Sequence, residues 1–204
     1  MDYRVRGLLA VLVAAAALAA CVGSASAQAL ALANSGVRYV FPEFTMTAPG
    51  FTVKCPVTME GTFHSRTIAK TAGTLIGYIT RVAIRTESCT GGRITALTPP
   101  WHLQYGGFTG VLPEIRTVEM RVVEAGFLME IMGISCLYRT TSVTAAGLIS
   151  ELLREKVATV RWSEASRIPL LVGTGLCPGE VRFGGGGRSS VLGSAEEVEI
   201  TLVP

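Results

Sequence analysis

Phe51-Thr52-Val53-Lys54-Cys55-Pro56-Val57-Thr58-Met59-Glu60 places an apolar residue at every second position. That is the period of a strand with one buried face, because successive side chains leave a pleated backbone on opposite sides. Pro56 lacks an amide hydrogen and predicts an edge position or the end of the pairing. The same period recurs downstream. Ile76, Tyr78, Val82 and Ile84 fall on one face with Arg81 and Arg85 on the other, and Val118, Met120 and Val122 alternate with Thr117, Glu119 and Arg121. A turn at Glu124-Ala125-Gly126 then leads to a return strand carrying Phe127, Met129 and Ile131, bulged at Gly133 before Ile134, Cys136 and Tyr138. Glu197 to Leu202 reads as a closing strand. The chain reads as all-β, an antiparallel sandwich or barrel. One segment competes: Leu148, Ile149, Leu152, Leu153 and Val157 fit an i, i+3, i+4 stripe, which predicts a short helix near 148–157.

The cysteines set the framework. Cys55, Cys89, Cys136 and Cys177 are spread over the body of the chain and allow three connectivities. An internal echo chooses among them. Val53-Lys54-Cys55 and Ile134-Ser135-Cys136 lie in apolar strands, and Cys89-Thr90-Gly91-Gly92 and Cys177-Pro178-Gly179 follow at similar distances. The echo favours Cys55–Cys89 and Cys136–Cys177, one bridge in each of two related β halves packed as one unit. Each bridge would stabilise by about 3–4 kcal/mol on the chain-entropy argument.

The N-terminus reads as an export signal over residues 1–27. Arg4 and Arg6 precede an Ala/Leu/Val run from Gly7 to Val22, too short and Ala-rich for a membrane span, and Ala25-Ser26-Ala27 offers a cleavage site. A second reading stands beside it. Leu18-Ala19-Ala20-Cys21 resembles a bacterial lipobox, in which a 1–20 signal is removed and Cys21 is lipidated. Cys21 is therefore either discarded or a lipid anchor. Residues 28–49 are expected to form an N-terminal stalk and a first strand, and 50–204 the disulfide-stapled β domain. The expected location is extracellular or the cell envelope, the only membrane contact being a Cys21 lipid.

Composition narrows the chemistry. The chain carries 18 Lys+Arg against 15 acidic residues, alternating in sign along the sequence, so neither nucleic-acid binding nor polybasic attraction to a membrane is expected. Asp2 is the only aspartate, Asn34 the only asparagine, and His64 and His102 the only histidines. Acid/base relays and metal sites draw on those residue types, so no metal, no cofactor and no enzyme activity are expected. In Trp101-His102-Leu103-Gln104-Tyr105, alternation sends Trp101, Leu103 and Tyr105 to one face and His102 and Gln104 to the other. Trp101, His102 and Tyr105 are a candidate binding surface, although a core-facing stripe explains them more simply. His64 would need a serine and a glutamate to act as a catalytic base. Gly184-Gly185-Gly186-Gly187-Arg188-Ser189-Ser190 lacks the Lys of a phosphate loop and a following helix, so a flexible loop between late strands is expected.

Cys55-Pro56-Val57-Thr58-x-x-Gly61-x-Phe63-His64, Pro100-Trp101-His102-Leu103-x-Tyr105, Phe108-Thr109-Gly110-x-Leu112-Pro113 and Cys136-Leu137-Tyr138-Arg139-Thr140 are the anchors of a wider likeness. Over most of residues 50–204 the chain resembles a group of uncharacterised exported proteins of high-GC Gram-positive bacteria, which fits its 15 Arg against 3 Lys. The resemblance implies compartment and β class and no activity. The leading functional expectation is a non-catalytic binding or structural protein with an envelope or extracellular partner. The alternatives are a hydrophobic small-ligand carrier, with a pocket lined by Trp101, Met120 or Met129, and a Ser/His/Glu hydrolase. On this reading the native exported protein takes up no thiol reagent until it is reduced, and then labels at Cys55, Cys89, Cys136 and Cys177. Intact mass decides between a chain beginning at Gln28 and one beginning at a lipidated Cys21.

Overall fold

Phe51 to Phe63 form one continuous strand in the computed structural model, which describes residues 29–97, 99–111 and 113–203. The leader, both cleavage readings and Cys21 lie outside the described residues. The early strands are β1 (Ala29–Leu32), β2 (Gly36–Ala48), β3 (Phe51–Phe63), β4 (Thr67–Ala69), β5 (Leu75–Ile84), β6 (Arg93–Leu97), β7 (Trp101–Val111) and β8 (Glu114–Val123). The later ones are β9 (Gly126–Ile131), β10 (Ile134–Arg139), β11 (Ala146–Leu153), β12 (Lys156–Trp162), β13 (Arg167–Val172), β14 (Glu180–Gly184), β15 (Gly186–Val191) and β16 (Ile200–Val203). The fold is all-β.

Eight strands close into an antiparallel barrel in the order β15–β12–β11–β8–β7–β5–β3–β2, with β2 pairing back onto β15. Closure removes the unpaired edges that an open sheet would leave. β2 also belongs to a second sheet. Val37 to Val40 pair with β15, whereas Thr45 to Thr47 pair with β14, the first strand of the array β14–β13–β10–β9–β6. Between those stretches Pro42 and Glu43 face Pro56 alone, a bulge that bends β2 from one sheet into the other. Pro56 therefore sits in mid-strand but at the end of the β3–β5 ladder, whose last pair is Val57–Ile84. The ladder is already interrupted opposite it, and its carbonyl accepts the Arg85 N–H at 3.1 Å.

Several local expectations give way to this topology. The Gly184–Gly187 run is no flexible loop: it is the corner where the chain passes from β14 to β15 along one flank of β2. Gly185 has a φ of 104°, and a Cβ there would strike the Glu43 carbonyl; one on Gly187 would strike that of Val40. The helix expected near 148–157 is a hairpin. Leu153 faces Lys156, and Arg154 and Glu155 turn the chain with φ of 51° and 69°. Ser150 is buried in β11 while Ile149 and Leu153 lie on the other face, which gave a strand the look of a helical stripe. Gly133 is not a bulge but, with Met132, the two-residue turn joining Ile131 to Ile134. β9 does not return along β8 either. Glu124, at a φ of 64°, swings the chain away, Thr140 Oγ1 accepts the Ala125 N–H at 2.8 Å, and β9 pairs with β6 and β10. Part of the expected stalk is β1, which pairs with β16 and β4 and buries Leu30 and Leu32. The two echoing halves are interleaved in one unit: β6 joins the second sheet and β11, β12 and β15 join the barrel.

The bridges are Cys55–Cys89 and Cys136–Cys177, with Cα–Cα distances of 4.3 and 5.7 Å. They are compatible with an oxidising location. No helix among the described residues is long and apolar enough to cross a membrane. Phe44, Phe127, Trp162 and Phe183, drawn from β2, β9, β12 and β14, meet where the sheets join, with ring centroids 4.9–5.7 Å apart. Inside the barrel the Tyr39 hydroxyl on β2 donates to Met120 Sδ on β8 at 3.7 Å. Those strands are diametrically opposite, so side chains span the lumen at that level.

Burial pushes the Tyr39 phenol far above its ordinary value and also raises Tyr105 and Tyr138. A raised folded-state pKa favours the protonated native form. Its contribution to stability is complete below the unfolded value of 10.0 and is lost as pH rises toward the folded one. The urea midpoint is therefore expected to fall between about pH 10 and about pH 11, and to fall less in Tyr39→Phe.

Candidate anion-binding face

The residues singled out from the sequence separate in space. Trp101 and Tyr105 are 0% and 2% exposed. The Trp101 indole donates to the Leu97 carbonyl at 2.9 Å and packs against Phe127 at 4.9 Å, so it serves the core. His102 points outward from β7, and the three do not form one surface. His102 instead joins a row on the outside of the barrel, with His64 and Tyr78. The Tyr78 ring lies 4.8 Å from His64 and 5.2 Å from His102. Glu124 Oε2 is 3.5 Å from His102 Nδ1. Tyr78 does not share a face with Val82 and Ile84, because a bulge at Thr80 reverses the alternation of β5. Each histidine rests on Tyr78 rather than on a serine hydroxyl. Among the described residues no three His, Cys, Asp or Glu side chains gather as metal ligands.

Strand register assembles a different set. Antiparallel partners share a face, so Ser190, Arg38, Glu60 and Arg81 make one row across β15, β2, β3 and β5. Arg188, Val40, Thr58 and Ala83 make the next, and Arg85 follows two residues beyond Ala83. The short side chains Val40, Thr58 and Ala83 floor a trough of about 400 Å³, bordered by Arg38, Glu60, Arg81 and Arg85. Arg188 stands beside Val40 on the neighbouring strand.

Glu60 organises this face. Its side chain is only 14% exposed; Oε1 accepts from Arg38 Nε at 3.0 Å and Oε2 from Arg81 Nη1 at 3.4 Å. One carboxylate thus holds two guanidinia and offsets one positive charge. Arg85 and Arg188 have no ion-pair partner among the described residues. A guanidinium presents a rigid, permanently charged fork that matches the paired oxygens of carboxylate and phosphate. Chemically, the face can hold anions. Sequence reading missed it because Arg38, Arg81 and Arg188 lie far apart in the chain. The outward position of Arg81 and Arg85 was the one signal available.

No family model matches the chain, and neither does any curated protein or solved structure.

The three main clefts are lined by residues other than Trp101, Met120 and Met129, which are core side chains. A double-mutant cycle on Arg38→Ala and Glu60→Ala is expected to give a coupling of about 1 kcal/mol, reduced by salt, in urea unfolding. Zero coupling at low salt would mean that Glu60 does not organise the face.

Proposed function

We propose that this protein is a non-catalytic exported binding protein that holds an anionic polymer of the cell envelope against the arginine-lined outer face of its barrel. The observation that carries this reading is the gathering of Arg38, Arg81 and Arg85 around a trough whose one acidic lining residue is Glu60, with Arg188 opposite Val40 on the next strand. Guanidinia spread across this face from β15 and β2 to β5 suit repeated anionic groups better than one isolated anion. Glu60 fixes two of them before any ligand arrives, which lowers the ordering cost of binding. The export signal, the likeness to exported proteins and the two bridges support the compartment, whether the chain is released or anchored through Cys21.

The other expectations find less support. A Ser/His/Glu relay needs a serine against a histidine, and both histidines pack at an angle against Tyr78. A carrier whose pocket is lined by Trp101, Met120 or Met129 needs an open interior, and those side chains are packed in the core, with the Tyr39–Met120 contact crossing the lumen.

Long-chain inorganic polyphosphate is a suitable probe, with neutral dextran as control. The protein is expected to bind polyphosphate, to release it as salt rises, and to ignore dextran. Arg81→Gln/Arg85→Gln, which alters only exposed side chains, should weaken binding roughly tenfold. Equal affinity of that variant, or no polyphosphate binding at low salt, defeats the reading.

A further inference from the structure

A second, larger cleft lies on the other sheet, about 800 Å³ in volume, where the end of β2 meets β13, β14 and the loop between them. Its charge arrangement is unusual. Register puts Arg167 of β13 directly opposite Arg182 of β14, and like charges in that relation repel. Glu180 bonds the Arg167 guanidinium. Arg182 has only neutral Thr47 on its other side and has no ion-pair partner among the described residues. Its charge faces the cleft without compensation.

Another part of the lining is apolar and held in place. Leu176 is 75% exposed at the cleft, close to Ala48, Pro49 and Pro178. A large exposed aliphatic side chain is often found on a mobile loop, but this loop is tied down. Cys177 is bridged to Cys136 on β10, the Tyr138 hydroxyl donates to the Pro178 carbonyl at 3.1 Å, and the Leu170 N–H donates to the Gly179 carbonyl at 2.8 Å. The second disulfide thus fixes an apolar part of the lining in the same cleft as an uncompensated guanidinium.

We propose that this cleft is a binding site for a small amphipathic carboxylate, with its head on Arg182 and its apolar body against Leu176 and Pro178. The volume is that of a small-molecule site. The two lining arginines and one lining glutamate leave a single net positive charge, which suits a monoanion better than a phosphate dianion. The planar two-oxygen head matches the guanidinium fork. The site is separate from the arginine face of the barrel and goes beyond the function proposed above.

Octanoate, octyl phosphate, octan-1-ol and octylammonium have the same number of carbons and differ in the head, so titration of the full-length protein by calorimetry and amide NMR tests the assignment. Octanoate is expected to bind most tightly and to shift the amides of residues 175–179. Arg182→Gln should weaken it roughly tenfold, Arg182→Lys by less, and Leu176→Ser should also weaken it. Arg81→Gln/Arg85→Gln should leave octanoate binding unchanged, which separates failure here from failure at the barrel face. Octan-1-ol binding as well as octanoate, tighter binding of octyl phosphate, an unaffected Arg182→Gln variant, or no octanoate binding would each overturn the proposal.

Discussion

The backbone at Gly185 and Gly187 lies against the carbonyls of Glu43 and Val40 so closely that neither position has room for a Cβ. This contact lets β14 and β15 follow one another along a single flank of β2, one strand in each sheet. Directly beside it, the Pro42–Glu43 bulge bends β2 through the same corner. Phe44, Trp162 and Phe183 fill the angle, so burial of large rings holds the two sheets in register. With β15 held on β2 the barrel closes, and with β14 held on β2 the second sheet has its origin. Side chains at those two glycines would separate the flank and open both.

Closure decides where chemistry is available. Tyr39 and Met120 meet across the lumen, and Trp101, Tyr105 and Met129 are buried, so the aromatic and sulfur-bearing residues hold the core together. Polar chemistry is left to the outside, where each strand presents alternate residues to solvent. Register then determines which of them become neighbours. On the barrel it groups Arg38, Arg81 and Arg188 with Glu60; on the second sheet it sets Arg167 against Arg182. Both faces carry more positive than negative charge, although the chain as a whole carries a formal charge of only +3.

Much of the strand content was legible because period two is a local property of the chain. It located β3, β7 and β8 and placed Trp101, Leu103 and Tyr105 on one side of β7. It misled where the alternation was interrupted. Buried Ser150 between outward Ile149 and Leu153 made β11 look helical, and its Arg154–Glu155 turn lacks the Asn-Gly or Asp-Gly pair that usually marks a hairpin. The extra residue Thr80 moved Tyr78 to the outer face, beside both histidines. Pro56 does mark the end of the β3–β5 ladder, but the bulge opposite it on β2 cannot be seen from its own sequence.

By itself, the sequence determined that this is an all-β chain with four body cysteines whose spacing echoes. Those are features of short windows or of separations along one dimension. Tertiary structure alone decided that the strands close into a barrel, that the glycine run is a corner, and that Arg38 and Arg81, more than forty residues apart, flank one Glu60. The reason is physical. Alternation tells each side chain which face it takes, but pairing register tells it whom it meets there, and register is set jointly by bulges, turns and packing on other strands.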